Sequence, residues 1–323
     1  MRIARQLAAI ILSMVAVAPA APAAQPVFPD KPIRLIIGSA PGSGPDIIAR
    51  LLADHLYPVW NQRVVVDSRP GLAGAISAEL TLRSNPDGYT WMMLTSQLFV
   101  ATAVYPDLKF DLDKDFASMA LIGIVPYVLL VNPNVPAKSV EELIAVAKRA
   151  PGKLRYGSAG AGGGEHITTV LFERMTGISM LHVPYKGIAQ ALLDTISGEV
   201  QLAFPVYPAA RPHIDSGRLR PLGVTGPKRA PGLPDVPAIA EVVPGYSTFG
   251  WYAIVAAKGT PEFILAKGGD EVLKAVRTPA FVEKLKTLGV EIMPGGAKEL
   301  DAFRATERKR LTDLVKASGI SIK

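Results

Sequence analysis

Apolar runs of strand length alternate with stretches of helical spacing along most of the chain. Residues 33–37 read as a buried strand, and Ile47, Ile48, Leu51, Leu52 and His55 then recur at the spacing of one helix face. Residues 63–66 and 89–94 read as further strands, the second entered through the turn Asn85-Pro86-Asp87-Gly88. A longer apolar run, 121–131, is broken by Pro126. Ser139 and Glu142 have the spacing of a capping box, with Val140, Leu143, Ile144 and Ala147 on the apolar face behind it. Residues 154–157, 180–183 and 200–204 predict strands, with helices over 167–175 and 189–196. Strands follow at 219–224 and 251–256. The C-terminal part is helical, with Leu300, Phe303, Leu311, Leu314 and Val315 on one side.

This alternation predicts an α/β chain of parallel sheets with helices on both faces. No repeat and no low-complexity linker divides it. The expectation is therefore two lobes that the chain crosses between more than once, near Pro126 and near residues 245–250. The expected division is a leader over 1–23, one lobe from 24–126 plus 249–323, and a second from 127–248.

The leader changes the picture first. Arg2 and Arg5 precede an almost purely apolar run over 7–18 and then Ala and Pro residues, the layout of a secretory signal peptide. Ala21-Pro22-Ala23 and Ala18-Pro19-Ala20 both suit a signal peptidase. The chain has no cysteine, which excludes disulfides, thiol chemistry and a cysteine-linked lipid anchor. Export without disulfides predicts a periplasmic location. The net charge is +7, from 35 Lys and Arg against 28 Asp and Glu. It is dispersed, with Arg308-Lys309-Arg310 the densest spot. No basic stripe interleaved with aromatics points to nucleic acid.

Two glycine-rich turns carry the candidate chemistry. The first is Gly38-Ser39-Ala40-Pro41-Gly42-Ser43-Gly44-Pro45-Asp46, and the second is Gly157-Ser158-Ala159-Gly160-Ala161-Gly162-Gly163-Gly164-Glu165-His166. Each joins a strand to a helix, so each presents a helix N-terminus whose free N–H groups favour an anion. Neither turn holds Lys or Arg, and neither has nucleotide-loop spacing. A carboxylate suits them better than a polyphosphate. Asp46 and Glu165 read as charges that complement the helix starts.

Four histidines, His55, His166, His182 and His213, show no helical ligand pairing, and no nucleophile elbow occurs, so no metal, cofactor or hydrolytic activity is expected. His166 either touches a ligand or braces the second turn. Arg211 either faces a distal carboxylate or is a solvated helix residue.

The chain resembles the Bug family, the periplasmic binding proteins of tripartite tricarboxylate transporters. The resemblance rests on Lys31-Pro32-Ile33-Arg34-Leu35-Ile36, the Pro41-Gly42 turn with Asp46, and Asn85-Pro86-Asp87-Gly88-Tyr89-Thr90. It continues through Val135-Pro136-Ala137-Lys138-Ser139, Tyr156-Gly157-Ser158-Ala159-Gly160 with His166, and His182-Val183-Pro184-Tyr185-Lys186-Gly187. Pro234-Asp235-Val236-Pro237 and Lys316-Ala317-Ser318-Gly319 complete it.

The resemblance implies a two-lobed periplasmic binding protein fold, type II-like, each lobe a mainly parallel sheet flanked by helices. It implies that both turns clamp one ligand carboxylate, through Ala40, Pro41, Gly42, Ser43 and Asp46 on one lobe. On the other it implies Ser158, Ala159, Gly160, Gly162, Gly163, Gly164 and His166. Thr95, Ser96 and Gln97 match a segment lining the cleft. The implied role is capture of a small carboxylate by a monomer that serves large and small membrane transporter subunits, or alternatively a membrane sensor receptor.

One departure bears on the ligand. Pro205-Val206, followed by Tyr207, stands where the family often has Asp-Asn, which removes an acid able to hold an amino group. That pattern predicts a ligand without an amine, an aromatic carboxylate or dicarboxylate such as terephthalate, lined by Pro205, Val206 and Tyr207.

Overall fold

The computed structural model describes residues 27–105, 107–287 and 289–318. The expected leader and Gly319 lie outside the described residues.

The first sheet has the strand order β11-β4-β10-β3-β1-β2. Its strands are β1 (Ile33–Ile37), β2 (Val64–Ser68), β3 (Thr90–Thr95), β4 (Phe116–Pro126), β10 (Phe249–Ala257) and β11 (Glu291–Gly295). The second has the order β7-β6-β8-β5-β9. It comprises β5 (Val128–Val131), β6 (Arg155–Ser158), β7 (Leu181–Pro184), β8 (Leu202–Ala203) and β9 (Arg220–Val224). The helices over the first sheet are α1 (Gly44–Trp60), α2 (Ala75–Leu82), α3 (Ser96–Val104), α8 (Glu262–Arg277), α9 (Pro279–Thr287) and α10 (Ala297–Ser318). Those of the second are α4 (Val140–Arg149), α5 (Gly164–Thr176), α6 (Ile188–Ser197) and α7 (Tyr207–Asp215). This is a two-lobed α/β fold. Among the described residues no helix is long and apolar enough to cross a membrane.

Both sheets are mixed, whereas the strand–helix alternation predicted mainly parallel ones. The parallel sets, β2-β1-β3 and β7-β6-β8, are the parts built by strand–helix–strand units. β4, β10 and β11, and likewise β5 and β9, join antiparallel. Parallel neighbours need a crossover helix, while a strand re-entering from elsewhere is free to pair in the opposite sense. β4 and β10 do this along nearly their whole length, Phe249 opposite Pro126 and Ala257 opposite Phe116. β11 is the one strand with no sequence forewarning. It is an edge strand containing Pro294, tolerated there because an edge leaves one row of N–H groups unpaired.

The chain leaves the first sheet after Pro126 and returns to it at Phe249. Local signals held at α4: Ser139 Oγ accepts from the Glu142 N–H at 3.2 Å. The Glu142 carboxylate reaches one residue further back than a capping box requires, to the Lys138 N–H at 2.6 Å. His55 packs edge-on against Phe281. Ile167 of α5 is buried in a cluster with Phe99 and Val100 of α3, Trp251 of β10 and Leu311 of α10, so the two lobes are in apolar contact beside the gap between them.

Candidate functional site

The first turn is held from behind. Gly42 has φ +79°, the left-handed region that glycine adopts without strain. Its N–H donates to Asp46 Oδ2 at 2.9 Å, and Arg50 Nε donates to both oxygens of the same carboxylate at 3.0 Å. Asp46 thus braces the loop from inside the helix. Ser43 occupies the N-cap of α1 but makes no capping bond. Its Oγ is buried and without a hydrogen-bond partner. The contrast with Ser139, which spends its hydroxyl on its own helix, is informative: at α1 the N–H groups and the hydroxyl remain free for something else.

The second turn is braced by a ring stack. His166 and His182 lie 4.0 Å apart at 9°, and His182 stacks on Tyr156 at 4.9 Å. The Gly162 N–H donates to His166 Nδ1 at 2.9 Å. Ser158 Oγ is 2.7 Å from His182 Nε2, donates to the Gly160 carbonyl at 3.0 Å, and accepts from the Gly160 N–H at 3.2 Å. Burial lowers both imidazoles to about 4, so both are neutral at ordinary pH. Gly160 (φ +133°) and Gly162 (φ +74°) supply backbone that a side chain would strain.

Between the two turns lies a cavity with about 580 Å³ of space free of protein atoms, open water at its mouth included. Five helices begin at its wall: α1 at Ser43 and Gly44, α3 at Thr95 and Ser96, α5 at Glu165, α6 at Gly187 and Ile188, and α7 at Val206. Each follows the carboxyl end of a strand, the usual place for a ligand crevice in α/β sheets. Five converging N-termini make the space favourable to an anion. Besides Ser43, two lining residues carry buried polar atoms without partners, Tyr252 OH and Trp251 Nε1. Tyr127 is also buried there and interacts with Ser96. Burial raises the Tyr127 and Tyr252 hydroxyls well above the ordinary phenol value, so both remain donors.

Of the residues expected at the site, Ala40, Ser43, Ser96, Gln97, Ala159 and Val206 line this cavity. Asp46, Ser158 and His166 stand behind the turns in the bracing roles just described. Pro41 and Gly42 are exposed beside the opening without lining it, and Gly160, Gly162 and Gly163 shape the second turn. Gly164 is a close approach: a Cβ there would collide with the Tyr127 hydroxyl.

The segment expected to set the ligand divides. Val206 reaches the cavity, whereas Pro205 contributes its carbonyl to the Val128 N–H at 2.8 Å. Tyr207 is fully buried elsewhere, packed on Gly232 and Gly289. Its hydroxyl donates to the Gly232 carbonyl at 2.8 Å and accepts from Arg211 Nη1 at 2.7 Å. Arg211 also donates to the Thr287 carbonyl and pairs with Asp215, so it ties α7 to α9 outside the cavity.

Sequence reasoning did not foresee Tyr127, Glu165, Lys186, Trp251 or Tyr252 at the wall. Glu165 carried the one available signal, an acid inside a glycine-rich turn, and its position at a helix start gave it a sufficient local explanation.

A family model described as the tripartite tricarboxylate transporter family receptor matches residues 48–320. The chain is 32% identical to protein BugT of Bordetella pertussis over 328 residues, covering all of both chains. A solved R. palustris structure with adipate is 33% identical, with a TM-score of 0.87 over 91% of this chain and 99% of that one. MatC from Rhodopseudomonas palustris with bound malate is 26% identical, with a TM-score of 0.82 over 89% of this chain and all of that one. The matching family is a transporter family's receptor, and the two solved relatives hold a small carboxylate. The braced turns, the fold and the length of the match agree, and the chain belongs to the tripartite tricarboxylate transporter receptor family, to which the Bug proteins also belong.

Proposed function

We propose that this is a periplasmic solute-binding protein that captures a small carboxylate between two lobes, 24–126 with 249–323 and 127–248, and delivers it to membrane transporter subunits. The observation that carries the reading is the convergence of five helix N-termini and the unpartnered Ser43 and Tyr252 hydroxyls on one cavity. Hydrogen bonds to a charged group contribute about 1.5–3 kcal/mol each. A few of them support micromolar binding, about −8 kcal/mol, after ordering costs.

The rest of the wall bears on the ligand's body beyond that carboxylate. Pro45, Pro70, Ala73, Ile188 and Val206 are apolar, and the exposed Lys186 ammonium stands at the cavity with no ion-pair partner among the described residues. We assign the ligand as a dicarboxylate with a hydrocarbon body, its near end at the turns and its far end toward Lys186. The similar R. palustris proteins hold adipate and malate, both dicarboxylates. Tyr207 does not supply the aromatic contact its sequence position suggested. Tyr252 brings an aromatic ring from the other lobe, so straight-chain and aromatic diacids both belong in the test. Closure results from the ligand binding the closed state better than the open one. Titration calorimetry with adipate, malate, terephthalate and a set of amino acids is expected to show a diacid bound most tightly. Selective binding of an amino acid overturns the assignment.

A further inference from the structure

Glu165 is 2% exposed and lines the cavity, although it lies in the first turn of α5, where acids usually face solvent. Gln97 Nε2 stands 3.0 Å from each carboxyl oxygen, and among the described residues the other donor to it is its own main-chain N–H. No Lys, Arg or His forms an ion pair with it among the described residues. The titratable groups facing it from the packed elements leave it without a cation. Tyr127, in the link between β4 and β5, and Tyr252 of β10 present hydroxyls. His166, next in the chain, turns its ring onto His182. Arg310 is engaged with Glu307 on α10, behind Tyr127. Lys186 shares the cavity but is exposed.

A buried carboxylate needs several donors or a cation to remain ionised. Here it has two neutral donors. Burial accordingly pushes the Glu165 carboxyl up to about 7, with its own N–H and Gln97 only partly offsetting it. The two ionisation states would select opposite ligands. An anion would hold an ammonium group and repel a carboxylate, whereas the acid form carries an O–H to donate.

Resting on the carboxylate reading above, we propose that Glu165 is a specificity-determining residue, meeting the ligand as a neutral carboxylic acid whose O–H donates to a ligand carboxylate oxygen, so that capture takes up one proton from solvent. The proton stays on Glu165, and no covalent bond to the ligand forms. Gln97 belongs to α3 over the first sheet and Glu165 to α5 over the second, so their bond exists only when the two lobes approach. Closure is what removes the carboxyl from water, which ties proton uptake to ligand-driven closure.

The test is calorimetry with adipate on the whole mature protein, in buffers of different ionisation enthalpy. Wild type is expected to take up most of a proton near pH 6.5 and almost none above about pH 8. Its affinity is expected to fall by up to about tenfold per unit between pH 6 and 7. Glu165→Gln keeps a donor at every pH, so it should bind adipate with no uptake and a flat profile over the same range. The uptake measured on wild type needs no variant and stands if Glu165→Gln fails to fold. Adipate binding without proton uptake, or with the same slope in Glu165→Gln, overturns this inference alone. Failure of every diacid in the panel to bind overturns the functional reading and this inference together.

Discussion

Alanine in place of Gly44 tests whether the two lobes meet at the ligand as the geometry requires. A Cβ there would stand 2.5 Å from the Tyr252 hydroxyl and 2.5 Å from Val206 Cγ2. Carbon atoms pack at about 3.5–4.0 Å, so each neighbour must retreat by roughly 1 Å. The two contacts differ in kind. Tyr252 is on β10, in the same sheet as the strand that leads into α1, so its crowding is felt in the open and closed forms alike. Val206 leads into α7 beside the second sheet, so its crowding arises only on closure. Overpacking costs about 1–3 kcal/mol. In the open form, alanine's advantage over glycine inside a helix, about 0.5–1 kcal/mol, offsets much of the Tyr252 share. The Val206 share, about 1–2 kcal/mol, falls on the closed form, so ligand affinity should weaken roughly 5- to 30-fold. Calorimetry with the best diacid, alongside thermal unfolding of the ligand-free protein, reads both effects. Val206→Ala in the Gly44→Ala background should restore most of the affinity. Undiminished affinity in Gly44→Ala would refute the claim that this approach belongs to the liganded state.

Three further outcomes rest on the same geometry. Ser43→Ala and Tyr252→Phe each remove a buried hydroxyl with no protein partner, so thermal stability should hold or rise slightly while calorimetric affinity falls by about 1.5–3 kcal/mol each. The folded-state pKa values of His166 and His182, about 4, lie below their unfolded value of 6.5, so their contribution is full above 6.5 and is lost as pH falls toward 4. Glu165, raised to about 7, acts in the opposite sense: its contribution is full below its unfolded value of 4.5 and is lost as pH rises through 7. Thermal melts in saturating diacid, where the closed form dominates, should therefore show from pH 6.5 down to 5 a loss of stability that steepens in Glu165→Gln and flattens when both histidines become Asn. Arg211→Ala should lower the melting temperature by untying α7 from α9 yet leave affinity within about twofold; a large loss of affinity would instead put Arg211 on the ligand.

How much of this was legible in the chain depends on the range of the interaction concerned. The turns at residues 38–46 and 157–166 announced themselves because positive-φ glycine, a proline in the first turn of a helix and a helix start are local requirements. Strand and helix order followed from side-chain periodicity, which is local as well. Ala40, Ser43 and Ala159 at the wall were recognisable as turn residues next to those starts, whereas Ser96 and Gln97 were expected there only through the family resemblance. The pairing sense of β4 and β10 was not, because nothing near residues 116–126 records that the chain returns beside them at residue 249.

The same division explains the misplaced ligand determinants. Tyr207 looked like a pocket aromatic from its neighbours in sequence, but Gly232 and Gly289, brought in from distant segments, open a socket that takes its ring away from the cavity. Tyr252 becomes a wall residue because β10 sets it opposite Thr95 on one side and Gly123 on the other. Glu165 had a satisfactory local role at a helix start. The sequence by itself determined the two turns, their glycines and the preference for an anion, since backbone geometry and helix dipoles need only a few consecutive residues. Only the tertiary structure decided that this acid is sealed beside the cavity with Gln97 as its side-chain donor. Desolvation depends on every segment that closes over a group, and those segments come from both lobes.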